Sequence, residues 1–265
     1  MDNRLVIIEG LPCSGKSTAT HYAADVIGAQ KKVCWSDEGS GNHPADWEFH
    51  AFLSEDVLAE RFSPDEQQRI RSCSEQLCNG HAVPLSQFDG ELQGRLMRYK
   101  IYDALPWDIE KPVMLEKWRS FVNNSDEDTV YVFNCVMLQN PMCETMMRFG
   151  FSEDDSFGYI SEIADIIRSL NPLVIYLSND DIAETVMKAS KERDGWLEQV
   201  IDYHVNGAYG KSIGASGFDG YIACLEERQR RELDILSKLS ADSLVISNAH
   251  RDWSAAYKLI KDRLI

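Results

Sequence analysis

Short apolar or β-branched runs separated by longer stretches of helical periodicity dominate the chain. Leu5 to Glu9, Lys32 to Ser36, Thr129 to Asn134, Leu173 to Leu177 and Ser243 to Ser247 read as strands. Between them, positions such as Ile160, Ile163, Ile166, Ile167 and Leu170 recur at i, i+3, i+6 and i+7, which places them on one buried helical stripe. Strands alternating with helices predict an α/β fold: five parallel strands with helices on both faces.

The spacing is uneven. The second and third predicted strands are divided by residues 37 to 128, and "SPDEQQRIRSCSEQL" opens with Ser63 as a helix cap and Pro64 at the first helical position. A helical insertion over about 47–125 is expected within a single domain, with a lid-like region at about 188–220. Five glycines between Gly207 and Gly220 predict a loop that rests on the helical "CLEERQRRELDILSKL". The closing helix Ser254 to Ile265 is expected to bury Ala255, Leu259, Ile260 and Leu264.

Charge narrows the partners. With 43 acidic against 27 basic residues the formal charge is −16, which repels phosphate backbones and anionic membranes, so neither nucleic acid nor membrane is expected as a partner. No apolar run reaches membrane-spanning length, and seven scattered cysteines without a C-x-x-C pair read as free thiols, so a cytoplasmic location is expected.

The most specific signal is Gly10-Leu11-Pro12-Cys13-Ser14-Gly15-Lys16-Ser17, a full match to G-x-x-x-x-G-K-[ST] between an apolar strand and a helix candidate that continues through Thr18. Gly10 and Gly15 permit the backbone to curl its N–H groups around a phosphate, and the helix N-terminus adds further donors. Lys16 would reach the β- and γ-phosphates of ATP, and the Ser17 hydroxyl would hold Mg²⁺. Cys13, beside Lys16 and a helix start, is expected to have a lowered thiol pKa.

The stretch "IIEGLPCSGKST" resembles the P-loop small-molecule kinases of the thymidylate kinase and deoxynucleoside kinase group, in which the first strand commonly ends in "EG" before "GSGKST". Cys13 stands where those kinases often have glycine. The resemblance implies a three-layer P-loop NTPase fold and phosphoryl transfer from ATP-Mg²⁺ to a small-molecule acceptor. One of Asp37 and Glu38, after the second strand, would then act as base or orient the acceptor, with Glu38 favoured and Asp37 open as base or metal-water ligand. "PLVIYLSNDDIAETVMKASKERDGW" is similar to the fourth strand and lid helix of such kinases. It implies that Asn179 or Asp180 caps the helix and that Arg193 neutralises the transferring group. The loop Ser247 to Arg251 would lie near adenine.

The third strand ends in Asn134 rather than in the acid of a motor or switch NTPase. Gln139 and Asn140 are candidates for hydrogen bonds to the acceptor or for capping the helix at Pro141. His43 and Asp46 read as loop-fixing residues rather than catalysts. Kinases of this kind often form homodimers, so a homodimer is one expectation. The competing reading is a nucleotide-controlled binding protein, against which stand the missing acid, the missing N-K-x-D motif and the lack of an arginine-finger pattern.

Overall fold

The computed structural model describes residues 2–265, which fall into two compact units, residues 2–38 with 124–265 and residues 39–123. In chain order the strands are β1 Leu5–Gly10, β2 Lys32–Ser36, β3 His50–Leu53, β4 Glu75–Leu77, β5 Gly80–Pro84, β6 Thr129–Asn134, β7 Pro172–Ser178 and β8 Asp242–Ser247. The first unit is built on a five-stranded sheet in the order β2-β6-β1-β7-β8, parallel throughout.

Burial explains the apolar runs. The central strands β1, β6 and β7 are buried along their whole length, as a strand covered on both faces must be, whereas the edge strand β2 is half-buried and the edge strand β8 mostly exposed. Val6 and Ile8 pack with Ala19, Ala23 and Ile27 of the helix Lys16–Gly28 and with Ala256, Ile260 and Leu264 of the helix Trp253–Leu264. Each such Ile or Leu contributes about 1.5–3 kcal/mol by leaving water. The small Ala side chains let the first helix approach the sheet closely. Glu9 has the opposite parity to Val6 and Ile8. On β7 the Tyr176 hydroxyl donates to Glu232 Oε2 at 2.6 Å on the helix Gly217–Lys238.

Two stretches of this unit differ from the sequence expectation. In the closing helix the buried positions are Ala256, Ile260 and Leu264, while Ala255 and Leu259 face solvent, because Tyr257 and Trp253 extend the stripe in a register one residue later. The glycine-rich stretch is largely helical, as Ala208–Ser212 and the start of Gly217–Lys238. Its glycines serve close packing: a Cβ on Gly207 would lie 2.4 Å from the Met147 carbonyl oxygen, and one on Gly210 would lie 2.2 Å from that of His204.

The second unit is not purely helical. It holds a three-stranded antiparallel sheet, β3-β5-β4, beside the helices Glu55–Arg61, Pro64–Cys73 and Trp107–Asn124. Ala51, Leu53 and Val83 of this sheet pack with Leu58, Phe62, Ile70 and Leu96. Ser63 caps its helix in a full capping box with Glu66. His43 Nδ1 accepts from the Ala45 N–H, Asp46 Oδ1 accepts from the Trp47 N–H, and Tyr102 Oη also donates to Asp46, so both residues fix their own loop. Among the described residues no helix is long and apolar enough to cross a membrane.

Candidate functional site

At the carboxyl end of β1 the chain turns through Gly10 at φ +143°, where a Cβ would stand 2.5 Å from the Leu177 carbonyl oxygen and 2.9 Å from Ser14 Oγ. Cys13 follows at φ +67° and Gly15 at φ +90°, and the helix begins at Lys16. The left-handed angle at Cys13 accounts for the glycine common at this place in similar loops. Lys16 folds its buried side chain back over the turn, and Nζ donates to the Leu11 carbonyl oxygen at 2.8 Å. Ser14 Oγ is buried with no hydrogen-bond partner. Gly10 through Thr18 thus form one turn between the middle strand of a parallel sheet and the helix after it. The fold is that of a P-loop NTPase. The orphaned Ser14 hydroxyl and the helix start without a side-chain cap together suit a phosphate.

The P-loop opens on a cavity of about 380 Å³ that it shares with Glu38, Gln139, Arg193, Trp196, His204 and Arg228. Glu38 is held there by Gln139, whose Nε2 donates to Oε1 at 3.0 Å. Asp37 points elsewhere: its Oδ1 accepts from Asn134 Nδ2 at 2.7 Å, and its Oδ2 lies 2.6 Å from His21 Nε2. Asn134 also accepts the Glu38 N–H at 2.8 Å, so one amide fixes both acids. A carboxylate at this strand end could not donate to Asp37 and would repel it, which accounts for the missing acid. Asn140 is buried and does not line the cavity. The structure therefore brings Lys16, Ser17, Glu38, Gln139 and Arg193 together and leaves Asp37 and Asn140 outside.

Glu9, at the end of β1, organises this arrangement from beneath. Fully buried, it accepts the N–H groups of Met137 at 2.8 Å and Leu138 at 3.0 Å on Oε1, and that of Gln139 at 3.1 Å on Oε2. Burial pushes its pKa up from 4.5 to about 7; the three N–H groups oppose that shift and the neighbouring Glu232 adds to it. The folded chain thus holds this proton to higher pH than the unfolded chain does. Its contribution to stability is complete below pH 4.5 and is lost as pH rises through about 7, about 3 kcal/mol for this one group. Glu9→Gln should flatten that part of the stability profile while costing about 1–3 kcal/mol, since an amide nitrogen would face the Gln139 N–H. Denaturant melts of the two proteins from pH 4 to pH 8 check this; parallel profiles would exclude it.

Arg193 follows the helix Ile182–Ser190, with its guanidinium 5.3 Å from the centroid of the Trp196 ring. The cap of that helix is Asp181 rather than Asn179 or Asp180, and Asn179 Oδ1 accepts the Asp181 N–H. A second cavity, of about 390 Å³, adjoins Cys13 and is lined by Asp181, Lys188, His250, Arg251 and Trp253. His250 and Arg251 belong to the loop expected near a base, and the Trp253 ring lies against Gly15, where a Cβ would be 2.3 Å from it. The expectation for Cys13 is corrected: burial raises its thiol pKa, and the charges of Arg193 and Lys16 only offset that in part.

Sequence reasoning missed Arg228, Glu232, His204 and Trp196. The sequence predicts "CLEERQRRELDILSKL" only as the helix under a loop, yet Arg228 and Glu232 are 1% and 0% exposed. The signal was present in the 4, 3, 4, 3 spacing of Tyr221, Leu225, Arg228, Glu232 and Ile235, an apolar stripe interrupted by two opposite charges.

No family model matches the chain, and no curated protein matches it. Among solved structures it is similar to a GTPase in apo form from Pyrococcus abyssi, at 15% identity over 99% of this chain and 98% of that one, with a TM-score of 0.28. The P-loop NTPase fold is read instead from the strand order and the loop after β1.

Proposed function

We propose that the chain is a phosphotransferase that moves the γ-phosphoryl group of ATP to a hydroxyl or phosphate of a small molecule. The observation that carries this reading is the shared cavity, in which the P-loop lysine and a positioned carboxylate, Glu38, face one space. The P-loop N–H groups and Lys16 bind the phosphates and spread their developing charge. Ser17 would supply one protein oxygen to Mg²⁺. Among the described residues no group of three His, Cys, Asp or Glu side chains is gathered for a metal, so the other oxygens would come from phosphates and water. Bound Mg²⁺ would neutralise the phosphate oxygens. Glu38 accepts the acceptor's proton, and Gln139 keeps its carboxylate turned toward the cavity. Arg193, on an exposed turn, adds a guanidinium to the phosphoryl group as the turn closes. His250, Arg251 and Trp253 line the space for the base.

The test is ATP and GTP consumption with and without pooled nucleosides, nucleotides, sugars and other hydroxylated metabolites, followed by mass detection of an acceptor that has gained a phosphoryl group. Acceptor-dependent turnover of ATP is expected. Hydrolysis that a protein partner stimulates, with no phosphorylated small molecule, would sink the kinase and favour a nucleotide-controlled switch.

A further inference from the structure

Arg228 is a guanidinium in the interior, 1% exposed, on the wall of the cavity that holds Lys16 and Glu38. Nε lies 3.1 Å from Glu232 Oε1, an ion pair without hydrogen-bond geometry, and Nη1 donates to Cys143 Sγ at 3.2 Å. Nη2 has no partner. Glu232 is fully buried, and its Oε2 accepts from the Tyr176 hydroxyl, which anchors it in the core. A buried cationic donor left open in this way costs stability unless something arrives to accept from it.

Two further residues that line the same cavity carry a buried orphaned atom. His204 Nδ1 lies 2.7 Å from the Val200 carbonyl oxygen and so carries the proton. Burial, with Arg228 adding to it, lowers the His204 pKa to about 4, so the ring is neutral and Nε2 presents a bare lone pair. Gln139 Oε1 is also buried without a partner, its amide nitrogen being committed to Glu38. The wall therefore offers one charged donor and two acceptors, with Trp196 and Val200 as its apolar part. Lys16, Arg193 and Arg228 against Glu38 make the lining cationic in a chain of net charge −16. Lys16 and Arg193 are taken by the triphosphate in the reading above; Arg228 is left for the acceptor.

We infer that the acceptor is a small hydroxylated acid, a carboxylate or a phosphate monoester, held by its oxyanion on Arg228 while a separate hydroxyl goes to Glu38. This rests on the phosphotransferase reading. Nη2 donates to the oxyanion, and the lone pairs of His204 Nε2 and Gln139 Oε1 accept from the substrate's other hydroxyls. In the transfer, the acceptor O–H gives its proton to the Glu38 carboxylate and its oxygen forms a bond to the γ-phosphorus as the bond to the ADP oxygen breaks. The oxyanion on Arg228 takes no part in bond making; Arg228 positions and selects.

The experiment uses the full chain with ATP-Mg²⁺ and matched pairs of acceptors: sugars against their sugar acids and sugar phosphates, aromatic alcohols against hydroxybenzoates, and nucleosides against nucleoside monophosphates. Turnover is expected for anionic members, with kcat/KM at least about 100-fold above their neutral partners, because a site built around a buried charged donor rejects a ligand that leaves it unpaired. Phosphorus NMR of the product should show an ester, and comparison of acids with monoesters assigns the anion. Because removing Arg228 alone would strand Glu232, the variant is Arg228→Met with Glu232→Gln, and Arg228→Lys is its conservative companion. The double variant should raise KM for the anionic acceptor at least about 50-fold, leave the Kd of a non-hydrolysable ATP analogue unchanged, and lose the preference for anions. Neutral members turned over within threefold of anionic ones, an anhydride product, or an unchanged KM in the double variant would each overturn the inference. If no member is phosphorylated, the kinase reading fails and binding decides this point by itself. Anionic members must then raise the melting temperature of the protein with the ATP analogue, and not that of the double variant; equal shifts in the two proteins, or none, overturn it.

Discussion

Lys16→Ala is expected to abolish acceptor phosphorylation, lowering kcat on the order of 10³-fold or more, while the melting temperature stays within a few degrees of wild type. The asymmetry follows from what Nζ does in the protein. Its hydrogen bond is to the Leu11 carbonyl of its own loop, so removal costs the fold one local contact. With ATP bound the same ammonium is the one positive charge of the P-loop within reach of the β- and γ-phosphates, and nothing else in Gly10 through Thr18 can replace it. Single-turnover assays with the acceptor found by pooled screening separate the two effects. A variant that turned over any acceptor at the wild-type rate would remove the proposed mechanism, and one that failed to fold would show that Lys16 is structural.

The sheet was legible because parallel strands buried on both faces must be apolar runs. Leu5 to Glu9 and Leu173 to Leu177 have no other reading between turn signals, and the expected strand limits differ from the observed ones by a residue at most. The P-loop was legible because its glycines have a steric reason, which the contact of a Gly10 Cβ with Leu177 makes concrete. What stayed hidden depends on partners far away in the chain. The three-residue strand β4 and the four-residue β3 exist through pairing with β5, and pieces that short carry no periodicity of their own. The spacing around Arg228 marks a buried stripe, but nothing in the local sequence shows that this stripe lies against β7, where Tyr176 supplies the third partner. Cys13 failed for a related reason. Motif logic counts the neighbouring charges, whereas desolvation, the larger effect, depends on the packing of the whole loop.

Glu38→Gln and Asp37→Asn should separate two adjacent acids that sequence reasoning could not tell apart. Glu38 lines the cavity, and a glutamine in its place keeps size and hydrogen bonding while losing the ability to take a proton. Its kcat is expected to fall about 10²- to 10⁴-fold with the Kd for ATP unchanged. Asp37 acts through Asn134 and His21, so its loss loosens the clamp on the Glu38 N–H without removing a reacting group. In Asp37→Asn the remaining amide oxygen can still accept from Asn134 Nδ2, while the new amide nitrogen faces His21 Nε2. A fall in kcat of about tenfold is expected, with some rise in KM as Glu38 moves. The reverse order of effects would make Asp37 the base, and would require the Asn134 amide to release it before the acceptor's hydroxyl could be reached.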